Sequence, residues 1–268
     1  MAALVEGNET RLLPYADVGA LLAAREAGEG LGGLESQAGE SGPAVEAADF
    51  APLVTRPSKV ICVGLNYKDH ILEMGRELPA YPTLFAKFAD TLAGARDELR
   101  LSAASEGVDW EAELAVVVGR EVRNADRDAA QAAIGGFTVA NDISMRDWQR
   151  RTGQWLQGKA FESSTPLGPV MVTPDEVDGA ADLEISCTVD GVVKQRSRTS
   201  QLLFTPADIV AYVSAITTLR PGDVLLTGTP GGVGAGRSPA EFLRPGQVLT
   251  TTIEGIGSCR NACVEETS

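Results

Sequence analysis

The stretch Trp110–Val118, WEAELAVVV, constrains this chain more than any other. Its first half alternates polar and apolar residues and its second half is continuously apolar, the pattern of a β-strand that enters a core. In a strand, residues two apart point to one face, so the carboxylates of Glu111 and Glu113 converge. Two like charges beside a core are costly unless a cation neutralises them. Either the pair forms the solvent face of an edge strand, or the fold holds a cation there. Asp109 shares their parity, which suits the edge-strand reading.

Further strands are expected over Val60–Val63, Leu84–Phe88, Gly136–Ile143, Val224–Thr227 and Val248–Ile253. Leu183–Val189 and Gly191–Arg196 read as a hairpin turning at Asp190-Gly191. Helices are expected over Asp17–Arg25 and Asp126–Gly135, each capped by its aspartate, over Lys68–Met74 before Gly75, and over Pro206–Ile216. After Ile253 the chain reads as polar and frayed. Strands dominate and long helices are few, which argues against regular βαβ units and for a mixed α/β, predominantly β fold. Residues 1–54 read as a small N-terminal segment and Gly-rich linker, and 55–268 as one larger domain.

Apolar residues make up 44% of the 268, enough for a substantial core. The net charge of −14 argues against nucleic acid or an anionic membrane surface as a partner. No apolar run is long enough to span a membrane and no secretory leader is evident, so a cytoplasmic protein is expected. Cys62, Cys187, Cys259 and Cys263 read as reduced thiols, because Cys259 and Cys263 have no second pair to complete a metal site. The Gly-rich GTPGGVGAG lacks the Gly-Lys-Ser/Thr ending of a phosphate loop.

The residues able to do chemistry are few. Asp142, at the end of the strand GGFTVANDIS, offers a third carboxylate to Glu111 and Glu113. Such an oxygen set suits Mg2+ or Mn2+, with positions left for a bidentate substrate or a water. On this reading, removing Glu111 or Asp142 relieves like-charge repulsion and costs little stability. The single histidine, His70 in CVGLNYKDHILEMG, has Glu73 three positions on. On a helix the two share a face, and a carboxylate beside an imidazole suits a general base; an incidental pair on an exposed helix is the alternative. Lys159, in GKAFESSTP, is a candidate for a substrate carboxylate or a developing oxyanion, or a solvated loop lysine. Arg146 would pair with an acidic ligand or a substrate carboxylate, or lie on a solvated helix face. Thr229 would offer a hydroxyl to a carboxylate, or be a plain turn residue.

Taken in order, CVGLNYKDHILEMG, WEAELAVVVG, ANDISMRDWQ, GKAFESSTPLGP and DVLLTGTPGGVG resemble the fumarylacetoacetate hydrolase family, in particular its short acylpyruvase and oxaloacetate decarboxylase-like members. The resemblance covers Lys59 to Gly257. It implies a β-roll catalytic domain over 55–268, a homodimer, and Mg2+ or Mn2+ on Glu111, Glu113 and Asp142. It implies an acid–base dyad of His70 and Glu73, Lys159 and Arg146 near metal and substrate, and Thr229 at the carboxylate of a small anionic 2-oxo acid. The activity it implies first is hydrolysis of the C3–C4 bond of a 2,4-dioxo acid such as fumarylpyruvate or acetylpyruvate, with His70 activating water. Oxaloacetate decarboxylation and 2-hydroxydienoate or keto–enol isomerisation are the alternatives at the same site. Ala160 and Glu162 depart from the family pattern beside Lys159.

Overall fold

The structure is a computed structural model that describes residues 1–25, 33–68, 71 and 77–266. The chain opens with a hairpin, β1 (Ala3–Glu6) and β2 (Glu9–Leu12), then α1 (Val18–Arg25). There follow β3 (Val60–Gly64), β4 (Thr83–Lys87), β5 (Leu92–Ala93), β6 (Leu99–Leu101), β7 (Val108–Asp109) and β8 (Ala112–Val118). Helix α2 (Arg127–Ala133) leads into β9 (Ile134–Asn141), β10 (Ser144–Met145), the short helices α3 (Arg146–Gln149) and α4 (Leu156–Lys159), and β11 (Thr165–Val172). The last third holds β12 (Glu184–Val189), β13 (Val192–Arg198), α5 (Pro206–Ile216), β14 (Val224–Leu226), β15 (Val248–Ile253) and β16 (Gly257–Glu265).

Among the described residues the strands form a seven-stranded sheet, β4-β3-β14-β8-β9-β11-β5, and a five-stranded sheet, β13-β12-β15-β16-β6, with two small two-stranded pairs. Strands β8, β9 and β11 of the first pack against β12, β15 and β16 of the second. The result is the strand-dominated mixed fold expected, with the larger sheet curled as in a β-roll.

The apolar half of β8 is explained by its place. Leu114, Val116 and Val118 point into the core between the sheets, with Phe137, Val139, Ile185, Cys187 and Leu249. Ala115 and Val117 point the other way, into a second cluster with Val60, Cys62, Leu226 and, from the N-terminal segment, Leu22, Leu53 and Val54. A strand buried on both faces reads as a continuous apolar run. Each fully buried valine contributes roughly 1.5–3 kcal/mol. Strand β8 lies between β14 and β9, with all seven residues buried, so the edge-strand reading of Glu111 and Glu113 fails.

Helix starts follow the expected caps. The Asp17 carboxylate accepts from Ala20 N–H at 2.7 Å, and that of Asp126 from Ala129 N–H at 2.8 Å. The hairpin turns at Asp190-Gly191, both at positive φ (52° and 77°). The frayed end is corrected: residues 257–265 form β16, an interior strand between β15 and β6. Its inward residues are Cys259, Asn261 and Cys263, and the polar Asn261 at their centre interrupts the apolar alternation. All four cysteines are free and buried. Cys259 and Cys263 lie four apart on one strand face, about 13 Å at strand rise, too far for a disulfide. Burial pushes their thiols up to about 12 and about 11.

Candidate metal centre and its cavity

Glu111 precedes β8 and Asp142 follows β9, and these strands are antiparallel neighbours with Ala112 opposite Asn141. The register sets the two acids side by side, with Asp142 N–H donating to Glu111 C=O at 2.9 Å. Glu111 N–H donates to Asn141 Oδ1 at 2.8 Å, which holds the strand end closed. Glu113 lies two residues further along the same face. Each of the three acids offers an oxygen within 4.8 Å of the others, and all three are buried.

Three buried cations face this cluster. Lys159 Nζ, at the end of α4, donates to Glu111 Oε2 at 2.6 Å and Asp142 Oδ2 at 2.7 Å. Lys87 Nζ, at the end of β4, donates to Asp142 Oδ1 at 2.6 Å. Arg146, the first residue of α3, reaches Glu111 Oε1 at 2.6 Å and, through Nε, Asp109 Oδ2 at 2.8 Å. Four carboxylates thus meet three cations, and Glu113 has no ion pair among the described residues. Among the described residues it accepts only from Gly228 N–H, at 2.6 Å. Gly228 sits at φ +99°, and a Cβ there would lie 2.9 Å from Val63 C=O, so the turn after β14 can approach this closely only as glycine.

The electrostatics follow. Burial, then the charges of Asp142 and Glu111, push the Glu113 carboxyl well above the usual range, and Lys159 only partly offsets this. Burial would raise Asp142 too, but Lys159 and Lys87 outweigh it and hold that carboxyl low. Burial works against charge on Lys159 and Arg146 as well; the carboxylates reverse that and keep both protonated. An all-oxygen donor set with one uncompensated carboxylate fits a hard divalent cation such as Mg2+ or Mn2+.

A cavity of about 740 Å³ opens on the cluster, lined among others by Glu111, Glu113, Arg146, Arg150, Lys159 and Thr229. The sequence-predicted residues Glu111, Glu113, Asp142, Lys159 and Arg146 therefore meet in one place, and Thr229 lines the same cavity. His70 and Glu73, and the helix expected over Lys68–Met74 apart from Lys68 and Ile71, lie outside the described residues. Glu162 is exposed and Lys159 keeps its bridge between Glu111 and Asp142, so neither departure beside it displaces the lysine. Sequence reasoning missed Lys87, whose signal is a lysine between apolar neighbours in a strand, LFAKFAD. It also missed the structural role of Asp109, which accepts from the Gly234 and Ala235 amides and from Arg146.

The fumarylacetoacetate hydrolase C-terminal family matches residues 59–264. The chain belongs to the fumarylacetoacetate hydrolase family. Among its curated relatives is the human mitochondrial oxaloacetate tautomerase FAHD2A, 49% identical over 189 residues, 70% of this chain and 60% of that protein. The chain thus spans about 60% of the length of the first curated relatives it matches. Among solved structures, the 5-carboxymethyl-2-hydroxymuconate delta-isomerase of Mycobacterium smegmatis superposes with a TM-score of 0.80 at 34% identity, covering 100% of this chain and 94% of the other. The fumarylpyruvate hydrolase of Pseudomonas aeruginosa, in complex with Mn2+ and pyruvate, gives 0.70 at 31% identity, covering 82% and 98%. Family and site together support a metal-binding centre at Glu111, Glu113 and Asp142. The cytoplasmic expectation is overturned, because the FAHD2-type relatives are mitochondrial proteins. Its physical reason was weak, since the lack of a recognisable leader does not report on compartment.

Proposed function

We propose that this chain is a divalent-metal-dependent tautomerase or isomerase of small 2-oxo diacids, with oxaloacetate as the model substrate. The carrying observation is Glu113, buried beside Glu111 and Asp142 with no ion pair among the described residues. Glu111, Glu113 and Asp142 would hold Mg2+ or Mn2+. The ion, when bound, polarises carbonyl oxygens and stabilises the negative charge of an enolate. Lys159 places a protonated amine beside the same carboxylates, where it stabilises charge on a substrate oxygen. Thr229 offers its hydroxyl to the substrate carboxylate. His70 and Glu73 form the acid–base pair that moves a proton at C3. The tautomerase and isomerase relatives favour this reading over the hydrolysis expected first.

The charges lining the cavity bear on substrate length. Its lining cations Arg146, Lys159 and Arg237 each face a carboxylate of the chain. Arg150 lines the cavity without such a partner among the described residues, which suits a second, distal carboxylate. The test is the decay of enol-oxaloacetate, followed by ultraviolet absorbance. Acceleration by the protein with Mg2+ or Mn2+, lost with chelator, is the expected result; no acceleration with either ion sinks the proposal. A second reading, hydrolysis of acylpyruvates, is favoured by the Pseudomonas aeruginosa relative. It requires the His70–Glu73 pair to activate water, and release of pyruvate from a panel of 2,4-dioxo acids decides it. Homodimerisation belongs to the same proposal, supported by exposed Leu78, Tyr81 and Phe88 in the segments flanking edge strand β4. Light scattering should give twice 28.1 kDa, and a monomer mass contradicts it.

A further inference from the structure

Gln195, on β13 of the five-stranded sheet, is 1% exposed and touches both halves of the site. Its Oε1 accepts from Ala112 N–H at 2.9 Å, the amide between Glu111 and Glu113. Its Nε2 donates to Thr229 Oγ1 at 2.8 Å and to Pro230 C=O at 2.9 Å. A backbone N–H only donates and a carbonyl only accepts, so these two contacts fix which end of the amide is which. Nε2 must face Thr229, and both of its protons are committed. The Thr229 oxygen therefore accepts from Gln195, and its own proton has to go elsewhere. Among the described residues that hydroxyl donates to nothing, and Thr229 lines the cavity.

We propose that Gln195 is a positioning residue that sets the polarity of the Thr229 hydroxyl, so that Thr229 presents a hydrogen-bond donor to a substrate oxygen. The ligand class that follows is an anionic oxygen, a carboxylate, and not a donor such as an alcohol or amine. The same glutamine joins the carboxylate strand to the 228–230 turn, whose Gly228 amide binds Glu113. It thereby ties the carboxylate-binding hydroxyl to the metal-binding acids. This inference rests on the function proposed above.

The test is calorimetric titration of oxalate, an unreactive 2-oxo acid mimic, into the Mg2+-loaded protein. Gln195→Glu keeps the acceptor toward Ala112 N–H but turns the donors into acceptors, so the Thr229 proton is drawn away from the cavity. Oxalate should bind about tenfold or more weakly, the loss expected for one hydrogen bond to a charged group, with metal content equal to wild type. Thr229→Val should lose a similar factor, and Thr229→Ser should bind like wild type. In the Thr229→Val background, Gln195→Glu should add no further loss; the full added loss would mean that the new charge acts directly on the ligand, and overturns the inference. Gln195→Met, uncharged and of similar size, replaces Gln195→Glu if that variant does not fold, and must also weaken oxalate binding in the Thr229 background alone. Wild-type affinity in a folded Gln195 variant overturns the inference while leaving the function intact. No oxalate binding by the metal-loaded wild-type protein overturns the functional reading, and the inference with it.

Discussion

Asp142 shows how an acidic cluster is held inside a fold. From spacing alone its removal should relieve repulsion, yet its two oxygens each accept from a buried lysine, Lys87 and Lys159. Asp142→Ala would strand Lys87, whose side chain is 0% exposed. Breaking a buried pair by removing one partner costs about 3–5 kcal/mol, so urea unfolding of the chelated variant should show a loss of that size; unchanged stability would restore the repulsion argument. Arg150 makes a different prediction, because it is exposed and its interaction with a diacid is screened. Arg150→Gln should raise KM for oxaloacetate about threefold, while KM for a monocarboxylic 2-oxo acid such as phenylpyruvate stays constant. Equal effects on both acids would remove Arg150 from diacid selection. The carboxylates themselves were legible in the sequence because the spacing of Glu111 and Glu113 projects directly onto one strand face. Lys87 and Gln195 were not, because each comes from a distant strand whose approach depends on sheet order. Nothing local to LFAKFAD or VVKQRSR says which strand will lie beside it.

Among the elements, those with strong local signals were read well. Strand β8, the Asp190-Gly191 hairpin and helix α5, with Thr205 accepting from Asp208 N–H and Pro206 at its first turn, fall where their patterns predict. Strand β11 was not read, because Pro166, Gly168 and Pro169 oppose a strand assignment. The fold accommodates them with a register shift between Gly168 and Val172 against β9. Helix α1 carries a prediction of its own. Its cap, Asp17, also accepts from the N–H of Thr55 at 2.8 Å and from the Thr55 hydroxyl, joining the helix start to the chain that enters β3. Burial raises this carboxyl, and the Thr55 and backbone hydrogen bonds outweigh it, so its folded-state pKa lies below the ordinary value. A carboxyl depressed on folding stabilises above its unfolded pKa of about 3.9, and that stability is lost as pH falls through the lower folded value. Asp17→Ala should therefore cost about 1 kcal/mol at neutral pH, and the gap to wild type should close in acid below that value. A gap that persists there would mean the cap works without its charge.

At the level of the whole molecule, the site lies where two central strands end, on the face of the large sheet turned away from the small one. This explains why the acids could be recognised as a cluster while the fold around them needed the structure. The two-sheet core buries one face of β8, and the other face, which β3 extends with Val60 and Cys62, is covered by the N-terminal segment. A divalent ion that binds only the folded chain stabilises it by mass action. At a hundred times its Kd the gain is about 2.7 kcal/mol, or roughly 5–10 °C in Tm for a chain of this size. Differential scanning fluorimetry with Mg2+ or Mn2+, then with chelator, measures it, and an unchanged Tm would contradict the metal centre. The same three cations have a consequence for the metal-free chain. Small zinc domains must find their metal in order to fold at all. Here Lys159 bridges Glu111 and Asp142, and Lys87 and Arg146 pair with the same two acids, so the chain's own cations balance most of the cluster's charge. Chelation should therefore lower the Tm without unfolding the protein, unlike the loss of metal from a zinc domain.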